Sequence, residues 1–215
     1  LGDVYKRQDL NAIVLQKDRE LLIEEADEKD KINDNERPLN GLPIAIKDLT
    51  DVVGFKTTYG FPGSKNNQPS KNSLLVNRII DKGAIIIGKT NTAELGVGGH
   101  TTNRLFGPTS NVYELSKSAA GSSGGASSAV AAGLLPFADG TDQMGSCRGP
   151  AAYANIYGFR PTPGLISADR TGQKLDLPIL TTPGCLARTP NDMSILLDAI
   201  VGSDLLDKFS FDLNH

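Results

Sequence analysis

Lys47, Ser122, Ser123 and Ser146 are the residues whose types and settings could carry covalent chemistry in this sequence. Lys47 follows the apolar run Leu42-Pro43-Ile44-Ala45-Ile46. Ser122 and Ser123 lie in the glycine-flanked turn Gly121-Ser-Ser-Gly-Gly125, and Ser146 lies in Gly140-Thr-Asp-Gln-Met-Gly-Ser-Cys-Arg148. A serine hydroxyl is a weak nucleophile until a neighbouring base takes its proton. Of the 2 histidines one is the terminal His215, which leaves His100 as the only histidine suited to that task. Lysine can replace it when burial or nearby positive charge makes the amine neutral. A lysine at the end of a run as apolar as 42–46 can be desolvated in this way.

Each of these residues also has a plainer reading. Lys47 could be a solvated residue where the chain leaves the core. Ser122 and Ser123 could cap the helix that follows them, because a serine oxygen accepts from the free N–H groups of a first turn. Ser146 could be an ordinary turn residue. The letters Gly83-Ala-Ile-Ile-Ile-Gly-Lys89-Thr90 also fit a phosphate-binding loop. That loop needs small, flexible residues running straight into a helix, whereas Ala and three Ile predict a strand.

The elements that must position these groups read as α/β. Residues 15–30 predict a surface helix, with Leu21, Leu22 and Ala26 as its modest apolar face. Residues 42–46 and 84–88 predict two buried strands. Residues 60–73, rich in Gly, Pro, Asn and Ser, predict a loop. Between that loop and the second strand, Leu75, Val76, Ile79 and Ile80 form one face of a helix ending at Gly83. The Gly/Ser stretch near 121–125 predicts irregular chain, and the Ala-rich segment from Ala126 to Ala132 a helix. Leu134 to Ala138 is a short apolar run before a turn from Gly140 to Gly149, and Tyr157-Gly158-Phe159 is a further strand. Met193, Leu196, Leu197, Ile200 and Val201 make a last helical face, opened by Thr189-Pro190 and closed by Gly202.

Composition bounds the function classes. The chain has 215 residues, 39% hydrophobic and 22% charged, as expected of an ordinary globular protein able to bury a core. Its formal charge of −3 argues against a dedicated nucleic-acid binder. Cys147 and Cys185 cannot build a disulfide framework or a four-cysteine zinc site. No window of 18 apolar residues marks a membrane span. Residues 1–8 contain Asp3-Val-Tyr-Lys-Arg-Gln8, similar to a translated sequencing adapter, and are expected to be an artefact.

Taken together, Gly41-Leu-Pro-Ile-Ala-Ile-Lys-Asp48, Gly83-Ala-Ile-Ile-Ile-Gly-Lys-Thr-Asn91, Phe106-Gly-Pro-Thr109 and Gly121-Ser-Ser-Gly-Gly125 resemble the amidase signature family. Gly140-Thr-Asp-Gln-Met-Gly-Ser-Cys-Arg-Gly-Pro-Ala151, followed by Gly158-Phe-Arg-Pro-Thr162, continues the likeness in the same order. The resemblance implies an α/β fold with a mixed, largely parallel sheet covered by helices on both faces, and residues 9–215 as part of one such domain, with further elements after residue 215. It implies a Ser–cis-Ser–Lys triad of Ser146 as nucleophile, Ser122 as bridge and Lys47 as base. It also implies an oxyanion and substrate-binding group of Gln143, Met144, Gly145 and Ser123, and no metal or cofactor. The implied activity is hydrolysis of a small-molecule amide through an acyl-enzyme, in a cytoplasmic protein with no nucleic-acid or membrane partner. A homodimer is admitted. The alternatives are the glutaminase component of a tRNA-dependent amidotransferase (its A chain) and a catalytically silent scaffold. Against the usual family pattern, Ala119-Ala120 replace Pro-Gly, Ala126 replaces Ser, Thr102 replaces Glu, Val112 replaces Pro and Met144 replaces Gly.

Overall fold

The computed structural model describes residues 7–32, 37–168, 180–205 and 207–212. These residues form, in order, β1 (Ile13–Gln16), α1 (Arg19–Asp30), β2 (Pro43–Lys47), α2 (Leu74–Asp81), β3 (Ile85–Thr90), α3 (Gly124–Ala131), β4 (Phe137–Asp142), α4 (Arg148–Tyr153), β5 (Tyr157–Phe159), β6 (Thr182–Ala187) and α5 (Pro190–Ile200). Residues 1–6, which hold most of the adapter-like string, and His215 lie outside the described residues.

The strands of the described residues pair in two sheets of three, ordered β1-β3-β2 and β4-β6-β5. Strand β2 runs parallel to β3, while β1 is antiparallel to β3 and β6 is antiparallel to both of its neighbours. The first sheet is mixed, as expected, its parallel part being β2 and β3, and the second is antiparallel throughout among the described residues. Strand β2 also packs beside β4, which brings the two sheets together at Lys47 and Asp139.

Alternation along β2 splits the core in two. Ile44 and Ile46 pack with Val76 and Ile79 of α2, Leu196 and Ile200 of α5, and Phe137. Ala45 faces the other way, into a cluster with Ile85, Ile87, Ala129, Val130 and Leu186. Lys47 comes two residues after Ala45, so period 2 aims it at the α3 side. The register of β2 on β3 shifts between Ile44, opposite Ile86, and Ala45, opposite Gly88, which leaves Lys89 paired with Ile46. That extra residue in β3 turns Lys89 to the opposite face from Lys47.

Helix starts follow the expected chemistry. Asp18 caps α1, Ser73 caps α2, and Thr189 caps α5 with Pro190 in its first turn. Several elements differ from the sequence reading. Helix α3 begins at Gly124, inside the stretch expected to be irregular; a Cβ on Gly125 would lie 2.4 Å from the Asn91 nitrogen, so glycine here serves close packing of helix on strand. Strand β4 runs through the expected turn at Gly140, where a Cβ would lie 2.7 Å from the Cys147 sulfur. Strands β1 and β6 have no counterpart in that reading. Pro183 and Gly184 disguise β6, although all six of its residues are buried.

Candidate active site

Lys47 is the last residue of β2, and the chain turns immediately after it, with the Thr50 amide donating to the Lys47 carbonyl at 3.0 Å. Its side chain is 0% exposed. The Nζ atom lies 2.9 Å from the Ser122 hydroxyl, 2.7 Å from that of Ser123 and 2.9 Å from that of Thr141. An ammonium has three N–H donors, and three hydroxyl oxygens receive them. None of the three partners is a carboxylate. Burial therefore pulls the ammonium down to about 8, against the opposing influence of the carboxylates Asp139 and Asp142. A neutral amine there has a lone pair free to accept from one of the same hydroxyls.

The serine turn is fixed from several sides. The Gly121–Ser122 peptide is cis. The Ala93 amide donates to the Ser122 carbonyl at 3.3 Å, and the Gly124 amide donates to Thr101 Oγ1 at 2.8 Å. Ser123 occupies the N-cap of α3 but makes no side-chain cap bond, so the plain reading of this serine as a helix cap does not hold. Its hydroxyl belongs to Lys47.

Ser146 is half-buried in the turn between β4 and α4. The Ser123 amide donates to the Ser146 carbonyl at 3.2 Å, which sets the two serine segments side by side. Gly145 has φ 109°, a left-handed conformation that favours glycine. Met144 is 92% exposed and Gln143 is exposed, its side-chain oxygen accepting from Thr181 Oγ1 at 3.1 Å.

Asp142 holds this turn from inside. Its carboxylate accepts from the amides of Gly145 at 2.8 Å, Cys147 at 3.2 Å and Arg148 at 3.3 Å, and from two nitrogens of the Arg148 side chain at 3.0 Å each. Arg160 lies 3.4 Å away. Burial alone would raise this carboxyl, but the Arg148 side chain and the three amides overcome it and hold it at about 2. Thr141 and Asp142 escape the sequence reading, although both lie within the stretch it singles out around Ser146. The signal available is alternation along β4, hidden by the turn expected at Gly140.

The other candidates lie apart from this cluster. His100 is exposed, with Nδ1 2.8 Å from the Ser118 hydroxyl. Lys89, the lysine of the phosphate-loop letters, is buried in β3 and bonds the Thr50 carbonyl and Thr57 Oγ1, with Asp48 3.9 Å away. Burial lowers Lys89 and raises Asp48, and each opposes the other's shift. Among the described residues no group of three or more His, Cys, Asp or Glu is placed to hold a metal, and no helix is long and apolar enough to cross a membrane.

The family described as Amidase matches residues 5–213. The chain belongs to the amidase signature family. An acylamidase of Rhodococcus erythropolis is 41% identical over 206 residues, covering 94% of this chain and 43% of that protein. The A chain of the glutamyl-tRNA(Gln) amidotransferase of Methanosarcina acetivorans is 38% identical over 210 residues, covering 98% of this chain and 43% of that protein. Among solved structures, a bacterial aryl acylamidase of the amidase signature family superposes with a TM-score of 0.89 at 29% identity, over 99% of this chain and 45% of its own. The chain thus spans less than half the length of these relatives.

Proposed function

We propose that this amidase signature chain carries the acyl-transfer machinery of an amide hydrolase. The observation that carries this reading is a fully buried Lys47 bonded to Ser122, with hydroxyls and no carboxylate in direct contact. In the proposed reaction Ser146 Oγ attacks the amide carbonyl carbon while its proton passes through Ser122 to the neutral Lys47 amine. The carbonyl π electrons move onto oxygen, and in this reading the amides of Gln143, Met144 and Ser146 receive that developing charge, the Gly145 amide being engaged by Asp142. Collapse breaks the C–N bond, and the departing amine takes the proton from Lys47. Water then attacks the Ser146 ester along the reverse route, releasing the acid and restoring the serine. The relay needs the Ser146 hydroxyl to meet Ser122, which bonds Lys47; the hydrogen bond in the structure that joins the two serine segments is that of the Ser123 amide to the Ser146 carbonyl.

The chemical class of substrate is a carboxylic amide of a small molecule. The acylamidase likeness favours this reading. Likeness to the A chains of glutamyl-tRNA(Gln) amidotransferases favours a second one, in which the same machinery releases ammonia from an amide for a partner protein. The test is a fluorophosphonate probe applied to the product of the complete reading frame. Covalent labelling of the wild type, lost in Ser146→Ala, together with turnover of simple amides, is the expected result. No labelling would sink the nucleophile assignment. Glutaminase activity that appears only when a partner protein is added would move the protein to the second reading.

A further inference from the structure

Asp139 sits in the middle of β4, 0% exposed, opposite Cys185 of β6. Its Oδ1 accepts the Lys47 main-chain amide at 2.8 Å. Strand β2 pairs with β3 along one edge, so this carboxylate captures an amide on the other edge, at the residue that projects into the serine cluster. The second oxygen, Oδ2, is buried and has no hydrogen-bond partner among the described residues. A buried carboxylate with half its acceptor capacity unused is costly unless its charge is compensated. The compensating charges nearby are lysines: Lys47 from β2 and Lys89 from β3.

The other titratable groups around it do not take that role. Cys147, at the start of α4, and Cys185 of β6 are thiols that burial pushes up, Cys147 to about 12, so they stay neutral through the physiological range. Asp142 shares its charge with Arg148 and Arg160. Asp48 is occupied with Thr58 and Lys89. In α5, Asp198 is exposed and Asp192 is tied to the Thr189 cap, and α3 contains no titratable side chain. Asp139 is left as the carboxylate near Lys47 with no arginine on it.

We propose that Asp139 is a positioning residue for Lys47, holding its main chain at the β2 edge and biasing its side chain toward the charged form. The proposal rests on the reading of Lys47 as the base. Two opposed influences then set that base: the dry hydroxyl cluster around Nζ favours the amine, and Asp139 favours the ammonium. Desolvation raises Asp139 itself to about 6, so it is charged where Lys47 titrates and becomes neutral in mild acid. Asp139→Asn keeps the shape and can keep the acceptor for the Lys47 amide while removing the charge. Asp139→Leu removes both.

The experiment is a 15N NMR titration of Lys47 Nζ in protein made from the complete reading frame with labelled lysine, the signal assigned by its loss in Lys47→Arg. Kinetics across pH are measured alongside. In Asp139→Asn the Lys47 titration is expected to fall by roughly 1 unit, the low end of what a nearby opposite charge produces. The acid limb of kcat/KM should move down with it. Asp139→Leu should lose kcat at every pH, with Asp139→Asn retaining most of it. A Lys47 titration unchanged in Asp139→Asn would overturn the proposal. Should the variant fail to fold, the wild-type Lys47 signal itself decides. A second inflection near pH 6, from Asp139, supports the coupling, and a single inflection overturns it. A wild type that shows this coupling but hydrolyses no amide would instead count against the proposed function.

Discussion

Ser123 stands at the N-cap of α3, yet its hydroxyl lies 2.7 Å from Lys47 Nζ and caps no helix amide. A cap bond is ordinarily worth about 1 kcal/mol. Forgoing it places a third hydroxyl on the amine, alongside Ser122 and Thr141. Ser123→Ala should therefore disturb the proposed base, Lys47, more than the helix. Its pH profile should change, and its Tm should shift by no more than an exposed cap deletion produces.

Lys47, Ser122 and Ser146 should behave as one unit. Lys47→Ala and Ser122→Ala are each expected to lower kcat/KM by on the order of 10² to 10⁴. The double variant should be scarcely worse than the poorer single, because a broken relay cannot be broken twice. Steady-state kinetics of the singles and the double measure this directly. Multiplying losses would mean that the two residues act independently.

Activity should rise with pH through the Lys47 ionisation. Only the amine accepts a proton, and burial brings its titration from 10.5 to about 8. The rate should be low below that value and level above it. Stability carries the matching sign. Between about 8 and 10.5 the unfolded chain holds this proton and the folded chain does not, so this lysine makes stability increase with pH across that window. Urea melts at several pH values, compared with those of Lys47→Met, isolate the contribution.

Asp142→Asn should loosen the turn that carries Ser146. The change weakens acceptors for the amides of Gly145, Cys147 and Arg148 and leaves two arginines without their anion. The expected loss is about 2 kcal/mol, less than for a fully buried pair because Arg148 is half-exposed. In the parent the carboxyl is held at about 2 from an ordinary 3.8, so its stabilisation is fully present above the ordinary value and disappears as pH falls through about 2. Acid unfolding of the two proteins should converge at low pH, and kcat should fall more than KM rises.

Ala120→Gly should stabilise the fold. Ala120 has φ 58°, a left-handed conformation that an alanine adopts at a cost of about 1 kcal/mol. Its amide donates to Ser118 Oγ and its carbonyl accepts from the Thr101 amide, so the conformation is pinned from both sides. Thermal melts should show a higher Tm with unchanged labelling of Ser146. A lower Tm would mean that the lost methyl contacts outweigh the relieved strain.

Much of the candidate site is legible without the fold. Lys47 ends the apolar run 42–46, glycines flank Ser122 and Ser123, and Ser146 sits in a distinctive turn. These are local properties, written by residue type and period. The strand at 43–47, the helix at 74–81 and the helix at 190–200 are legible for the same reason, since hydrophobic period and capping residues are short-range signals. Strand β6 is not, because Pro183 and Gly184 carry the marks of a turn and only pairing with β4 and β5 makes them a strand.

The company these residues keep is set by the fold. Nothing local in the sequence says that Ser123 serves Lys47 in place of its own helix, or that the bulge in β3 turns Lys89 away to Asp48. Nor does it say that Asp139, 92 residues further along, closes on the Lys47 amide. Residue type and spacing determine which groups can react and which segments become strands or helices, because those depend on near neighbours. The ionisation of a lysine depends on charges, hydroxyls and dryness supplied by remote strands, and only packing brings these within reach.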